Sequence, residues 1–291
     1  MQFKKESDYL KRTFLLTISL SVLISASILK PEKVFLADSY SSIPAGALFA
    51  NPVSADDQSS SSEEKNGADN ITEQIEKSKD KELEHAVKLN DQAADLWHQG
   101  KLEEAETLLN RAIKIRKRLL GKDHMDVGMI YNNLSQIYRE QKNYRKAEAS
   151  LKKAMAIVKK KMGPEDEHLA TCYNNLGLIY ASQKKFKKAK DLYDKANDLA
   201  TKRYGKENPL TATILKNLSD MYMDSGEYEK AGPPMKESLA IVEKALGPNH
   251  SMTANCLKRY AKVLRKNNRM EEAEKLEERA KEIDRNNQAE S

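Results

Sequence analysis

From about residue 87 onward, large apolar residues recur at helical spacing in paired segments. In Tyr173-Asn174-Asn175-Leu176-Gly177-Leu178-Ile179-Tyr180, the bulky residues Tyr173, Leu176 and Tyr180 share one helix face. The polar stretch Ser182-Gln183-Lys184-Lys185 interrupts the pattern and predicts a turn. A second amphipathic stretch then places Phe186, Ala189, Leu192, Tyr193, Ala196 and Leu199 on one face and runs to Tyr204. Gly205 follows, and is expected to supply the left-handed residue that ends a helix without steric cost. The predicted unit is a helical hairpin.

That unit repeats. Ala105, Ala147, Ala189, Ala231 and Ala273 stand 42 residues apart, as do Ala112, Ala154, Ala196, Ser238 and Ala280, and the glycines Gly121, Gly163, Gly205 and Gly247. No insertion breaks the phase, and units start near residues 87, 129, 171, 213 and 255. A hairpin that cannot bury its apolar face alone must stack on its neighbours. The expected fold is therefore all-α, a right-handed solenoid of stacked antiparallel helix hairpins over residues 81–291. Small residues at two positions per unit imply close helix crossings that a larger side chain would overpack. Two departures stand out. Gly232-Pro233-Pro234 falls inside the second helix of the fourth unit, where a kink or local break is expected. The fifth unit lacks the glycine linker and ends in a charged run, as a solvated capping repeat does.

The small-residue pattern resembles the tetratricopeptide repeat. The 42-residue period, with Tyr131-Asn132-Asn133-Leu134, Tyr173-Asn174-Asn175-Leu176 and the linker Leu246-Gly247-Pro248-Asn249-His250, resembles its kinesin-light-chain type over roughly residues 87–291. The resemblance implies a superhelix whose first helices line a concave face and whose role is protein binding; such repeats serve many unrelated partners. Kinesin light chains join their motor through an N-terminal coiled coil. Here Ile71, Ile75, Leu83 and Val87 predict only a short lead-in helix, too short for that purpose.

The N-terminal region differs in character. Lys4, Lys5, Lys11 and Arg12 precede an uncharged apolar stretch from Thr13 to Leu29, which has the form of a secretory signal or of an uncleaved signal anchor. Residues 1–37 are read as that signal or anchor, so the protein is expected to be exported, periplasmic or extracytoplasmic, or membrane-anchored by it. Residues 38–80, rich in Ser, Ala, Asp and Glu, carry too little apolar surface to fold and read as a disordered linker.

Charge adds little to the fold and removes one class of partner. Charged residues make up 32% of the chain with a net charge of +6, and Lys and Glu mix along most helices, as on solvated solenoid faces. Nucleic-acid binding is not expected. Cys172 and Cys256 occupy one repeat position two units apart, about 20 Å at roughly 10 Å per helix layer, beyond disulfide reach. Both read as buried small residues. His124 and His250 share a position three units apart, too far for one metal ion. With no phosphate loop, nucleophile elbow or convergent titratable set, no enzyme activity, cofactor or metal is expected.

The candidate chemistry is a surface. One first-helix position reads Asp91, Asn133, Asn175, Asn217 and Arg259, and its neighbour reads Asn90, Asn132, Asn174, Lys216 and Lys258. Amide side chains can pair with an extended backbone of any sequence, so a peptide-binding groove is expected from Asn132, Asn133, Asn174, Asn175, Lys216, Asn217, Lys258 and Arg259. The competing expectation is that these asparagines bond neighbouring helices. The shift toward Lys and Arg favours an acidic segment of a protein partner; Asn217 with Lys258 and Arg259 partly resembles the clamp some family members use for a carboxylate. Lys262 and Lys266 are expected to pair with Asp220 and Asp224, their equivalents one unit earlier, leaving Lys216, Lys258 and Arg259 for a ligand. Trp97 is either a ligand platform or packed beneath the lead-in helix. A structural scaffold acting through the convex face or repeat ends is the alternative function, marked by an exposed apolar patch.

Overall fold

The computed structural model describes residues 62–289 of the chain. The signal or anchor expected at 1–37, and the linker up to residue 61, lie outside the described residues. Those described form ten α-helices and no strand: α1 Ser62–His98, α2 Leu102–Leu120, α3 Met125–Glu140, α4 Tyr144–Met162, α5 His168–Ser182, α6 Phe186–Tyr204, α7 Pro209–Ser225, α8 Tyr228–Leu246, α9 Ser251–Lys266 and α10 Met270–Ala289. Consecutive helices pair as five hairpins, and each hairpin stacks on the next. First helices of successive inner repeats also touch, α3 with α5 and α5 with α7, with no comparable contact between second helices. The array thus curves with its first helices on the inside. No helix among the described residues is long and apolar enough to cross a membrane.

Both alanine series sit where the helices of a hairpin cross. Ala105, Ala147, Ala189, Ala231 and Ala273 are fully buried, as are Ala112, Ala196 and Ala280, with Ala154 and Ser238 1% exposed. Ser238 adds a hydroxyl to that apolar position, and it is satisfied by donating to the Ala212 carbonyl at 2.8 Å. A further small-residue series, Gly128, Ala170, Ala212 and Ala254, is also buried. The apolar core divides into two principal clusters within the third repeat. Leu169, Cys172, Leu176 and Ile179 of α5 belong to one, and Ala189, Tyr193 and Ala196 of α6 to the other.

Every hairpin turn has one conformation. Gly100, Lys142, Lys184, Gly226 and Asn268, again 42 residues apart, have φ of 75°, 59°, 58°, 81° and 60°. Around Lys184, its own N–H bonds the Ala181 carbonyl at 2.8 Å and the Lys185 N–H bonds that of Tyr180 at 2.9 Å, closing the first helix in a Schellman motif. Gly205 does end its helix with positive φ, 83°, but at ψ 168°; this extended region belongs to glycine alone, whereas a left-handed helical residue was expected. Its N–H still returns to the Thr201 carbonyl, at 2.9 Å.

Two expectations need correction. Residues 62–80, assigned to the disordered linker, are helical and continuous with the first helix of the array, so no separate lead-in helix exists. Glu73 to Asp80 are exposed, and this stretch is held by local propensity and pairs such as Glu73 with Lys77 at 2.6 Å, without packing. The prolines of the fourth repeat do not break α8, which runs unbroken through Pro233 and Pro234. Their missing N–H groups would have served the carbonyls of Glu229 and Lys230, both exposed residues that water can reach. Neighbours tie the first turn down: Asn267 donates to the Tyr228 carbonyl and the Ser219 hydroxyl to the Ala231 carbonyl, both at 2.8 Å.

Lysine in the left-handed region is strained where glycine is not. Lys184→Gly should therefore raise stability by about 0.5–1 kcal/mol in urea denaturation, whereas Gly226→Ala should lower it by about 1 kcal/mol; equal effects of the two changes would contradict the turn assignment.

Candidate peptide-binding groove

The concave face is built by α3, α5, α7 and α9, each opened by a side-chain cap at one repeat position. His124 Nδ1 accepts from the Asp126 N–H at 3.3 Å, Asp166 Oδ1 from His168 at 3.0 Å, Asn208 Oδ1 from Leu210 at 2.7 Å and His250 Nδ1 from Met252 at 3.1 Å. The repeat position shared by His124 and His250 is thus a helix-capping position. Among the described residues no group of three or more His, Cys, Asp or Glu could hold a metal ion.

The asparagine series forms a chain of amide hydrogen bonds. Asn217 Nδ2 donates to Asn174 Oδ1 at 2.9 Å, Asn174 to Asn175 at 3.2 Å, and Asn175 to Asn132 at 2.9 Å. Asn133 donates to Asn90 at 3.1 Å, and Asn90 to Asp91 at 3.4 Å. Asn174, Asn175 and Asn217 are buried, while Asn132 and Asn133 are partly exposed. The amides therefore bond repeat to repeat, which was the competing expectation, and they form a polar spine beneath the concave face.

The basic residues have partners that their repeat positions did not announce. Arg259 Nη1 contacts both oxygens of Asp220, at 2.9 and 3.1 Å, while its Nε donates to Asn255 Oδ1 at 3.0 Å. Lys258 pairs with Asp284 of α10 at 2.6 Å, and Lys216 Nζ lies 3.9 Å from Asp220. The expected pairing of Asp220 and Asp224 with Lys262 and Lys266 is replaced. The long guanidinium of Arg259 brackets the Asp220 carboxylate, Lys262 acts on Asp224 only through its field, and Lys266 lies over the Tyr228 ring, 5.4 Å from its centre. At the end of the array Lys258 and Asp284 stand where inner repeats carry Asn174 with Ala200 or Asn132 with Val158, so a charged pair closes the last repeat.

The least conventional packing is at the third repeat. Gly177 is the smallest member of the series Ala93, Ser135, Gly177, Ser219 and Ala261, and it faces Tyr193, the one aromatic and the largest member of Leu109, Leu151, Tyr193, Met235 and Glu277. A Cβ on Gly177 would lie 2.7 Å from Tyr193 Cε1. Tyr193 is fully buried, and its hydroxyl has no hydrogen-bond partner. Burial raises its pKa, Asp220 and Asp224 act in the same direction and Arg139 opposes them. Gln136 Nε2 is likewise buried without a partner, while Gln136 Oε1 accepts from Arg139 Nε at 3.1 Å. Arg139 is mostly buried beside Glu140, and burial lowers its pKa. Lys216 is buried too, and desolvation pushes it down to about 8 despite Asp220.

Trp97 is packed: it is 8% exposed and its Nε1 donates to Glu140 Oε2 at 2.7 Å, joining the first two repeats. The cysteines are free and buried, with thiols raised by burial to about 12 at Cys172 and about 11 at Cys256. They are inert.

An array of stacked helical hairpins with a polar inner face defines the class: an all-α repeat solenoid. The tetratricopeptide repeat profile matches residues 84–160, 138–202, 168–232 and 210–286, and the chain belongs to the tetratricopeptide repeat family. Solved structures share the fold. BtubC (BKLC) from P. vanneervenii is 22% identical at a TM-score of 0.57, covering 71% of this chain and 88% of that one. A putative kinesin light chain with nearly identical repeats from Podosopora anserina is 20% identical at a TM-score of 0.55, covering 69% and 96%. A Rap protein complexed with competence and sporulation factor is 14% identical at a TM-score of 0.59, covering 68% and 54%. A search of curated proteins finds no match.

Two changes probe this arrangement. Gly177→Ala should destabilise the protein by about 1–3 kcal/mol through overpacking against Tyr193, and Tyr193→Leu, the residue the second repeat uses at Leu151, should recover most of that loss in a double-mutant cycle. The second concerns Lys216. With its pKa lowered from 10.5 to about 8, the unfolded chain binds the proton more readily, so this term opposes folding fully below pH 8 and fades as pH rises through 10.5. Lys216→Met should accordingly stabilise the protein by about 1–3 kcal/mol at neutral pH, and the gain should shrink toward zero in denaturation curves taken at progressively higher pH.

Proposed function

We propose that this protein is a non-catalytic interaction module that binds an extended, acidic segment of a partner protein along its concave face. The observation that carries the reading is the floor of that face. Tyr193 holds a hydroxyl where the first, second and fourth repeats carry Leu109, Leu151 and Met235, and Gln136 holds an amide where the first and third carry Ala94 and Leu178; each has a buried polar atom without a hydrogen-bond partner, and Lys216 buries an ammonium where the first three repeats carry asparagine. Buried polar groups are costly to a fold, and they concentrate where function requires them. Asn174, Asn175 and Asn217 form the bonded spine below, with Lys216 beside them. Asn132, Asn133, Lys258 and Arg259 keep exposed surface at the edge, where an extended chain would meet them. Arg139, Lys216, Lys258 and Arg259 are the cations an acidic ligand would meet there, in exchange with the carboxylates of Glu140, Asp220 and Asp284 that they now face. Among the described residues the large apolar side chains exposed by 40% or more are Ile75, Met129, Met162, Tyr204 and Met270, of which Met162 and Tyr204 hold the same position in adjacent repeats. The module would work outside the cytoplasm or on a membrane, brought there by the apolar stretch from Thr13 to Leu29.

Selection from a random-peptide display library on the purified protein tests the groove. The wild type should enrich peptides carrying Asp or Glu, and a Lys258→Glu, Arg259→Glu variant should lose affinity for them by about tenfold or more. Equal recovery by both proteins, or no enrichment over a bare support, would refute the groove reading. The location has its own readout: N-terminal sequencing of the mature protein should find it starting beyond the apolar stretch, or intact in the membrane fraction, and an intact soluble cytoplasmic chain would overturn it.

A further inference from the structure

A polar surface pocket of about 420 Å³ opens at the junction of the third and fourth repeats, between α6, the start of α7 and α8. At the equivalent positions the other junctions carry well-buried pairs: Ile113 with Val127, Met155 with Leu169, and Leu239 with Thr253, the threonine hydroxyl there donating to the Gly247 carbonyl at 2.8 Å. At this junction the pair is Asn197 with Thr211. Both members are polar, and neither is satisfied: Asn197 Oδ1 and Thr211 Oγ1 are buried with no hydrogen-bond partner, and both residues line the cavity. Thr211 is 2% exposed, and unlike Thr253 in the same repeat position its hydroxyl finds no carbonyl. Two matched positions have changed from packing residues to unfulfilled hydrogen-bonding groups around one space, which is what a ligand site requires and a packed junction does not.

The charges of the rim define the ligand. Asp198 and Glu237 line the cavity and form no ion pair among the described residues. Of the two lysines on the rim, Lys202 is held by Glu165 at 2.5 Å, which leaves Lys206. Two carboxylates and an amide oxygen suit an ammonium group, and Lys206 suits a single anionic group opposite it. We propose that this cavity binds a small zwitterion of the amino-acid class, separately from any peptide in the groove. Its ammonium would lie between Asp198, Glu237 and Asn197, and its carboxylate would face Lys206.

Thermal unfolding and calorimetric titration of the full chain with each common L-amino acid at about 10 mM, beside putrescine and acetate as singly signed probes, test the assignment. At least one amino acid should raise the melting temperature by about 2 °C or more, and neither single-sign probe should do so. Asn197→Leu with Thr211→Val restores the apolar pair of the other junctions and should abolish the shift while circular dichroism stays helical. Asp198→Asn with Glu237→Gln leaves the core intact and should weaken binding by about tenfold, and it decides the matter alone if the first variant does not fold. No shift with any amino acid, an equal shift with putrescine or acetate, or a shift that survives either folded variant would overturn the proposal.

Discussion

Two helices of a hairpin can approach closely only where neither carries a side chain larger than a methyl or hydroxymethyl group, and the rest of this structure follows from that steric limit. The ten positions from Ala105 to Ala280 are all buried at those crossings. Close crossing leaves each hairpin with broad apolar flanks, which must be covered by the next hairpin, so the array grows by stacking. Because the first helices of the inner repeats approach one another across repeats more closely than the second helices do, stacking also bends the array and produces a concave face. The polar surface of that face belongs to the first helices, whose opposite sides pack against the alanine positions of the second helices.

Stacking alone would tolerate slippage, and the amide chain from Asn217 to Asn132 opposes it. Buried amides are satisfied only when neighbouring repeats sit in one register, so these bonds select an arrangement more than they add to stability. The exposed ion pairs that cross each loop, Asp123 with Lys160, Glu165 with Lys202 and Glu207 with Lys244, repeat the same register on the outside. Each contributes little by itself. Together with the Trp97 to Glu140 bond, and the Arg259 to Asp220 pair between the fourth and fifth repeats, they make every junction geometrically specific.

Departures from the repeat pattern gather around the third and fourth repeats. Gly177 with Tyr193, the buried Lys216, the Asn197 and Thr211 pair and the prolines of α8 all lie there. The apolar core also divides in this region. A solenoid could be built without any of these features, as the second repeat demonstrates with Ser135 facing Leu151 and Met155 followed by Leu169. Local violations of an otherwise consistent pattern are where function is expected in a repeat protein.

By itself the sequence determined the all-α hairpin solenoid, the residues at its crossings, its hairpin order and the burial of both cysteines, because each depends on side-chain size and period within one repeat. It also identified the polar first-helix positions. What those positions do was decided by tertiary contacts. Asn174 bonds Asn217 across 43 residues, and Arg259 takes Asp220 one turn away from the position its repeat equivalent suggests, since a long side chain reaches past its nearest neighbour. The helix over residues 62–80 escaped the sequence reading because low apolar content argues against packing, not against helical backbone. The unbroken α8 escaped it because the cost of a proline depends on whether the carbonyl it abandons faces water. Position along the chain specifies which helices form and in what order; the distances between them, which decide whether a charge is paired, buried or left facing a cavity, exist only in the folded array.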